Sequence, residues 1–479
     1  MSETLSPRTA KQLPESAYVL REALRHGEVT SREIVERSLA RIEAWPALGA
    51  FTTVTAESAL AEADAADRIL AADRIVADPS NPNPATGTLE FAPLRGLPLA
   101  YKDLLDVAGT PTTRGSAALP HPIAKRDDAG VAVLRTAGAI SLGKTQVPEF
   151  GLNSYSENLI APPARNPLDP SRTPGGSSGG IAAAVAAGLV PMAPGTDGGG
   201  SIRIPALACG LVGLKPGLGS IPSDVIDGVT DEFGAPKLTV SGPIARDALD
   251  AAMLYDAMRV KRAEPSVAAV RGADGLLGLR VGVSFASPFA AAHPTPISPE
   301  ERAAVETAAA ILEARGHTVE DADLAYDPRY PEVFGRAWTA GLSLLKLNAE
   351  AESRLTTLTR TFRDRALART TAEHEAAGAE LSKIGRGMRE AWGAYDVILT
   401  PGLAFAPPRI GDFMALDADG DYQMQCEWTP FTSMVNVAGL PAIAVPVQTL
   451  PSGLSVGVQL IGGPGREPRL LQLAAQLMG

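Results

Sequence analysis

Apolar residues recur every three or four positions in the first part of the chain, a spacing typical of amphipathic helices. Thr30 and Glu33 match a capping box that predicts the start of one helix, and Pro46 ends it. The apolar side of this helix consists of Ile34, Val35, Leu39 and Ile42. A second helix is predicted over 56–76, followed by a proline-rich surface loop at 78–84.

Short apolar segments alternate with helical patterns between residues 95 and 260. Strands are predicted at 97–101, 139–143 and 190–193, with helices at 130–137 and 180–187. Further along, strands at 279–283 and 317–320 flank a helix at 299–315, residues 331–394 are largely helical, and 395–401 is another strand. This alternation predicts an α/β fold in which helices cover both faces of a β-sheet.

Composition indicates a large globular protein. No Gly/Ser-rich or Pro/Ser-rich linker divides the chain, so we interpret residues 1–479 as a single domain. Its 45% content of hydrophobic residues provides ample apolar surface for a core. The formal net charge of -11 argues against nucleic acid or an anionic membrane as a partner, because both favour clustered Lys and Arg.

The cysteine content and the first residues of the chain indicate the cellular compartment. Cys209 and Cys426 are the only cysteines, and free buried thiols are the favoured state, with a single disulfide left open. Residues 1–12 lack the apolar core of a secretory signal. The apolar stretch 181–194 falls short of the roughly 20 residues that span a bilayer. We therefore expect a cytoplasmic protein without a membrane helix.

Two glycine- and serine-rich blocks, 175–180 and 195–205, carry the candidate chemistry. A serine becomes nucleophilic only when another group takes its proton, yet histidine is absent from 122–292. Lys102 is the candidate base, because burial among apolar residues lowers the pKa of a lysine. A lysine beside an aspartate, as in Lys102-Asp103, is by itself more often a solvated ion pair. Consecutive glycines let backbone N–H groups converge, which predicts an oxyanion hole at Gly198, Gly199, Gly200 and Ser201.

These blocks resemble the amidase signature family, whose members hydrolyse carboxamides with a Ser-Ser-Lys triad. The resemblance also covers 97–106, 143–150, 210–216, 241–246 and 439–442, and it extends from about residue 15 to the C-terminus. It implies a large mixed β-sheet core covered by helices on both faces. Within that fold, 1–77 forms an N-terminal helical part, 95–260 the signature core and 325–394 a variable helical region on the substrate side.

The resemblance also implies a role for each site residue. Ser201 is the nucleophile, Ser177 the proton bridge and Lys102 the base, with a cis peptide bond between Gly176 and Ser177. Lys102 must be neutral at rest and becomes a cation when it returns the proton to the departing amine. The residues expected to support the site through hydrogen bonds or an ion pair are Ser178, Asp197 and Arg203.

The implied substrate is a small-molecule amide, anilide, ester or carbamate. Candidates to line its pocket are Gly176, Trp338, Trp428, Phe431 and Met434, although each of the four large side chains is by itself more often a core residue. The chain departs from the family pattern at Gly198, where Thr or a larger aliphatic residue is common, and at Gln146, where Asn is common.

Three other interpretations remain open. A glutamine-hydrolysing subunit of a tRNA-dependent amidotransferase shares these blocks, but it needs a cationic group for the glutamine carboxylate and partner subunits. An α/β-hydrolase is suggested by the G-x-S-x-G match at 175–179, and it needs a late histidine, which must be His293, His317 or His374. A binding protein on the same scaffold would require a broken triad.

No cofactor or metal is predicted. The five histidines are scattered and the two cysteines are far apart in sequence, so no metal-ligand spacing is present. The sequence is compatible with either a monomer or a homodimer.

Overall fold

In the computed structural model, residues 15–77, 92–261 and 263–479 are described. The strands are β1 (Phe51–Val54), β2 (Pro98–Lys102), β3 (Ile140–Thr145), β4 (Met192–Asp197), β5 (Val212–Lys215), β6 (Val240–Ala245), β7 (Arg280–Val283), β8 (Thr318–Asp321), β9 (Val397–Pro401), β10 (Ala442–Thr449) and β11 (Ser455–Gly462).

The helices of the first half are α1 (Ala17–His26), α2 (Ser31–Ala44), α3 (Ala56–Ala77), α4 (Ala129–Thr136), α5 (Gly179–Ala186), α6 (Arg203–Ala208), α7 (Ala248–Met258) and α8 (Pro265–Arg271). Those of the second half are α9 (Pro299–Ala314), α10 (Tyr330–Ala340), α11 (Ala349–Ser353), α12 (Thr357–Leu367), α13 (Thr371–Trp392), α14 (Ala418–Trp428), α15 (Ser433–Val437) and α16 (Glu467–Met478).

An eight-stranded mixed sheet forms the centre of the molecule, in the order β4-β6-β5-β10-β11-β9-β7-β8. Strands β9, β7 and β8 run parallel, and every other neighbouring pair is antiparallel. A separate three-stranded sheet has the order β1-β3-β2, and its strand β2 packs beside β4. The carboxyl ends of β2 and β4 carry Lys102 and Asp197, so this packing brings two of the candidate site blocks together.

Side-chain alternation along β10 explains why both faces of the large sheet are covered. Ile443 and Val445 belong to one apolar cluster, which they share with α7, α9 and α16. Ala444, on the opposite face, belongs to a second cluster with α2, α3, α5 and α6. Successive side chains of a strand point to opposite faces, so each face of this sheet requires its own layer of helices. The predicted large mixed sheet between helical layers is confirmed.

Local patterns located most of the predicted elements to within two residues. Thr30 and Glu33 form the capping box at the start of α2 as predicted, and α3, α4, α5, α9 and β9 lie at the expected places. The strand predicted at 190–193 is β4, which begins two residues later, after Pro191. The proline-rich loop predicted at 78–84 lies outside the described residues.

Sequence patterns missed other elements. The N-terminal part contains helix α1 before α2 and strand β1 between α2 and α3, so it is not purely helical. Strand β1 was missed because its four residues carry no alternation of burial, three being half-buried and one exposed. The separation of β1, β2 and β3 into a sheet of their own was also not predicted. No helix in the described parts of the chain is long and apolar enough to cross a membrane.

Candidate active site

Lys102 is the last residue of β2, and its side chain is buried. Its Nζ lies 2.7 Å from Ser177 Oγ, 2.9 Å from Thr196 Oγ1 and 3.2 Å from the Thr196 carbonyl oxygen. Burial lowers the pKa of Lys102 to about 7, although the nearby charge of Asp197 acts in the opposite direction. A neutral amine has two protons and one lone pair, so it can donate to both Thr196 atoms and accept from the Ser177 hydroxyl.

Asp103 does not form an ion pair with Lys102. Its carboxylate accepts a 2.8 Å hydrogen bond from Lys144 of β3, and both side chains are buried. Thr113 donates to the second carboxylate oxygen. The alternative of a solvated Lys102-Asp103 pair is therefore wrong, because neither residue reaches solvent and Asp103 has a different cation.

Ser177 stands in the loop that precedes α5. The peptide bond between Gly176 and Ser177 is cis, as the resemblance implied. A Cβ at Gly176 would lie 2.6 Å from the Tyr155 backbone nitrogen and 2.8 Å from the Asn153 carbonyl oxygen, so only glycine allows this approach. Gly176 thus packs against the backbone of 153–155. It does not line the pocket described below, which corrects its assignment as a substrate-binding residue.

Ser178 ties the two glycine-serine blocks together. Its N–H donates to the Ser201 carbonyl oxygen at 3.2 Å, and its hydroxyl donates to the Thr196 carbonyl oxygen at 3.3 Å. These hydrogen bonds hold Ser201, which is only 8% exposed, next to the loop that carries Ser177.

The glycine loop between β4 and α6 presents fewer free donors than expected. The Gly200 N–H donates to Asp197 Oδ1 at 2.7 Å, so it is already used within the protein. This corrects the assignment of Gly200 to the oxyanion hole. The N–H groups of Gly198, Gly199 and Ser201 have no hydrogen-bond partner in the described parts of the chain. These three remain the candidate donors for a developing oxyanion.

Asp197 and Arg203 form a buried ion pair behind this loop. Arg203 Nη2 and Nε lie 2.9 and 3.0 Å from the Asp197 carboxylate, which also accepts from the Ile202 N–H at 3.1 Å. Burial disfavours the ionised carboxylate, but the charge and hydrogen bonds of Arg203 hold the pKa of Asp197 well below its usual range. Asp197 is therefore an anion that orients the loop, and neither residue contacts Ser177.

Residues from the C-terminal third complete the support of the loop, and sequence reasoning missed all of them. Asn436 donates to Asp197 Oδ1 at 2.9 Å and accepts from Arg203 at 2.6 Å, while Gln459 accepts from Arg203 at 2.5 Å. The Thr432 hydroxyl donates to the Gly199 carbonyl oxygen at 2.6 Å. The peptide between Gly199 and Gly200 is thus held at both its oxygen and its N–H.

A cavity of about 50 Å³ adjoins Ser201. Its lining consists of Leu152, Asn153, Ser154, Gly199, Ser201, Ile204, Phe289, Phe334, Trp338, Tyr422, Gln425, Cys426, Thr429 and Ser433. No Lys, Arg, Asp or Glu occurs among these described lining residues. Burial raises the pKa of the Cys426 thiol to about 12, so it contributes a neutral wall.

Of the four large residues predicted to line the pocket, only Trp338 does. Trp428 is fully buried, tilted against Phe413 with its indole N–H bonded to the Phe405 carbonyl oxygen. Phe431 and Met434 are also buried and do not contribute to the lining. These residues follow the apolar pattern of their segments, and that pattern does not distinguish a core position from a pocket wall.

The pocket residues that were missed come from five parts of the chain, namely 152–154, Ile204, Phe289, Phe334 and 422–433. Ser154 lies four residues after the end of the stretch at 143–150, and its N–H donates to the side chain of Gln425 on α14 at 2.8 Å. Phe334 precedes Trp338 by one helical turn, so the i, i+4 spacing on α10 is a signal that could have identified it. Tyr422 and Thr429 carry no such local signal.

Glu149 connects the helical region at 325–394 to the part of the chain at 95–260. One of its carboxylate oxygens accepts from the Ser116 hydroxyl at 2.6 Å. The other accepts from the backbone N–H and hydroxyl of Thr356 at 2.9 and 2.8 Å, directly before α12. Glu149 is 1% exposed, so the link is a buried one.

The three histidines that follow Ser177 in the sequence have other partners. His317 is bonded to the Leu279 N–H and to Gln476, and His374 lies 3.1 Å from the Ala366 carbonyl oxygen. His293 packs edge-on against Tyr422. No histidine in the described ranges is hydrogen-bonded to Ser177 or Ser201, so the α/β-hydrolase interpretation loses its required base.

Cys209 and Cys426 are both buried and free, as favoured from the sequence. Among the described residues, no group of three His, Cys, Asp or Glu side chains is placed to hold a metal ion.

Known proteins resemble this chain over nearly its whole length. The family model described as Amidase matches residues 33–471. The chain belongs to the amidase family. The curated relative named "Putative amidase AmiB2" from Mycobacterium tuberculosis is 37% identical to this amidase over 468 residues, which covers 95% of this chain and 93% of the relative.

Solved structures show the same fold. The structure of 6-aminohexanoate cyclic dimer hydrolase superimposes with a TM-score of 0.82 at 29% identity, covering 98% of this chain and 97% of that one. A bacterial aryl acylamidase of the amidase signature family superimposes with a TM-score of 0.80 at 24% identity, covering 96% and 95% of the two chains. This amidase is accordingly an amide-hydrolysing enzyme of the amidase signature family.

Proposed function

We propose that this amidase hydrolyses a small uncharged carboxamide through an acyl-enzyme on Ser201, with Ser177 as proton bridge and Lys102 as base. The observation that carries the proposal is the 2.7 Å contact between Lys102 Nζ and Ser177 Oγ in a buried site. Because burial lowers the pKa of Lys102 to about 7, a large fraction of the enzyme holds a neutral amine at neutral pH.

The reaction begins with proton transfer. The Ser177 hydroxyl gives its proton to Lys102 and takes one from Ser201, whose oxygen attacks the substrate carbonyl carbon. Negative charge develops on the carbonyl oxygen, where the N–H groups of Gly198, Gly199 and Ser201 are the proposed donors. The C–N bond breaks as Lys102 returns its proton through Ser177 to the departing amine. Water then attacks the acyl-enzyme by the same relay and releases the carboxylic acid.

The lining of the cavity supports an uncharged substrate. An amidotransferase subunit must recognise the α-carboxylate of glutamine, and the described lining contains no cation that could pair with it. The amidotransferase alternative therefore has no supporting observation at this pocket. Anilides, esters and carbamates of similar size are proposed as further substrates, because the same acyl transfer applies to them.

A substrate screen tests the proposal. Wild type, Ser201→Ala and Ser177→Ala are assayed on short-chain amides, p-nitroanilides, esters and carbamates. We expect both variants to lose at least about a thousandfold in kcat/KM, consistent with the loss of one member of a catalytic unit. Activity that survives in Ser201→Ala would refute the nucleophile, and activity of the wild type that needs added partner subunits would favour the amidotransferase.

A further inference from the structure

Gly198 lies so close to Trp338, beside Ser201, that a side chain at residue 198 would overlap the indole. A Cβ at Gly198 would lie 3.1 and 3.2 Å from Trp338 Cζ3 and Cη2, and 3.0 Å from Thr239 Oγ1. The backbone of Gly198 is not in the left-handed region, so a side chain is restricted here by its neighbours and not by φ. The indole therefore reaches the oxyanion loop because residue 198 has no side chain.

Helix α10 holds the indole in place. Tyr330, Phe334 and Trp338 follow one another at four-residue intervals, so their rings lie along one side of the helix. The Phe334 and Trp338 rings stack with centroids 5.7 Å apart and planes inclined by 16°. Tyr330 stacks on Phe334 at 5.4 Å, and its hydroxyl lies 2.7 Å from Ser433 Oγ. The row is anchored at one end by a hydrogen bond and ends at the loop of Ser201.

The cavity beside this wall is small. Phe334, Trp338 and Ser201 line the same space, whose volume is about 50 Å³. An apolar cavity that accepts benzene has a volume of roughly 150 Å³. The space that Trp338 and Ser201 share is therefore smaller than a benzene-sized cavity and favours an acyl group of a few heavy atoms.

We propose that Trp338 sets the upper size limit of the acyl group, so that the enzyme prefers acetyl and propionyl substrates to hexanoyl and benzoyl ones. Gly198 is the residue that permits this limit, because it leaves the indole room beside the oxyanion loop. The inference rests on the proposed function, since it takes Ser201 as the atom that receives the acyl group.

The test compares acyl groups on a constant leaving group. Primary amides and p-nitroanilides of acetic, propionic, hexanoic and benzoic acid are assayed with wild type, Trp338→Leu and Trp338→Phe. We expect Trp338→Leu to raise the benzoyl-to-acetyl ratio of kcat/KM at least about tenfold, with Trp338→Phe between it and the wild type. Trp45→Leu, which removes a tryptophan that is 36% exposed at the end of α2, is the matched control and leaves the ratio unchanged.

Gly198→Ala tests the contact itself. In the wild-type background the added methyl group meets the indole, and we expect kcat/KM for the acetyl substrate to fall about tenfold. In the Trp338→Leu background the same methyl group keeps only its contact with Thr239 Oγ1, so the loss should be at least about threefold smaller than in the wild-type background, which is the coupling expected of residues in contact. If Gly198→Ala lowers kcat/KM equally in both backgrounds, the added methyl group does not contact the indole and the proposed contact is wrong.

The outcomes separate the inference from the proposed function. If Ser201→Ala is inactive but the benzoyl-to-acetyl ratio is the same in wild type and Trp338→Leu, only the size limit is wrong. A wild type that already hydrolyses benzoyl and acetyl substrates equally well also overturns the size limit alone. If Ser201→Ala keeps its activity, or the wild type hydrolyses neither series, the proposed function fails first. Trp338→Phe preserves an aromatic ring in the row and keeps the test valid if Trp338→Leu does not fold.

Discussion

Two buried lysines lie on neighbouring strands of the small sheet and have different partners. Lys102 of β2 contacts a hydroxyl of Ser177 and two oxygens of Thr196, all uncharged. Lys144 of β3 contacts the Thr112 hydroxyl at 3.0 Å, the Pro111 carbonyl oxygen at 3.2 Å and the Asp103 carboxylate at 2.8 Å. Each amine has three oxygen partners, and a single carboxylate distinguishes the two sites.

Between these two lysines, the difference is the counter-ion and not the extent of burial. A buried amine without a counter-ion favours its neutral form, because desolvation penalises the charge. In a buried ion pair, each partner compensates the charge of the other. Sequence alone places Asp103 beside Lys102, and only the fold assigns it to Lys144.

Removing Lys102 should have the largest effect on activity. We expect Lys102→Met to lower kcat/KM by about 10³- to 10⁴-fold, since a triad that acts as a unit loses most of its effect with one member. Lys102→Arg should fail as completely, because a guanidinium does not release its proton. At neutral pH the unfolding free energy of Lys102→Met, measured by denaturant titration, should be no lower than that of the wild type, because the substitution removes an amine whose pKa is lowered by folding. A Lys102→Met variant that is active but unstable would reverse the roles of the two lysines.

Removing Lys144 should instead act on stability. Lys144→Met leaves the Asp103 carboxylate buried without a cation, which typically costs about 3–5 kcal/mol of unfolding free energy. The double variant Asp103→Asn with Lys144→Met contains no charge at this place, and we expect it to recover at least half of the loss. If the double variant is no more stable than Lys144→Met, the charge of Asp103 is not the cause.

The pH dependence of activity should identify the lysine that acts as base. Because the base must be neutral, kcat/KM should fall about tenfold per pH unit below a pKa of about 7. Burial also lowers the pKa of Lys215, on β5, to about 7, and its Nζ donates to the Pro216 carbonyl oxygen. We expect Lys215→Met to retain the acid limb of the profile. If the acid limb disappears in Lys215→Met, the group that titrates is Lys215 and not Lys102.

A smaller effect is expected in the pH dependence of stability. The pKa of Lys102 is about 7 in the folded protein and 10.5 in the unfolded chain, so the unfolded chain binds more protons between these values. The unfolding free energy should therefore rise with pH in this window, by about 1 kcal/mol from pH 7 to pH 8 relative to Lys102→Met. Parallel curves for the two proteins would mean that Lys102 is not neutralised by folding.

The part of the site that could be predicted is local in sequence. The blocks around Lys102, Ser177 and Ser201 are continuous segments whose residue types already limit the chemistry. The supports of the glycine loop could not be predicted, because Asn436 and Gln459 lie more than two hundred residues beyond it and meet it only through the sheet order. Hydrogen bonding within the loop likewise decides which glycine N–H groups are free. The bond between the Gly200 N–H and Asp197 could not be predicted from the fact that residue 200 is a glycine.

The fold shows the same division. Capping and periodicity identified α2 and the strands β2, β3, β4, β7, β8 and β9, because these signals come from neighbouring residues. The four strands in the middle of the large sheet, β6, β5, β10 and β11, were not among the predicted strands. The division into two sheets depends on which strands pair across long distances, and neither β1 nor β3 carries a local sign of its partner. Trp428 was assigned to the pocket for a related reason, since an apolar residue near a site looks the same in sequence whether it faces the cavity or the core.

The buried link at Glu149 has a consequence for protein engineering. It joins the core to the segment that begins at Thr356 through a hydroxyl and a backbone N–H, both from one residue. A chimaera that takes its helices after this point from another amidase must therefore keep a hydroxyl-bearing residue at this junction. If the grafted segment has serine or threonine at this position, both hydrogen bonds to the Glu149 carboxylate can form. If it has alanine, the buried carboxylate loses the hydroxyl donor and keeps only the backbone N–H.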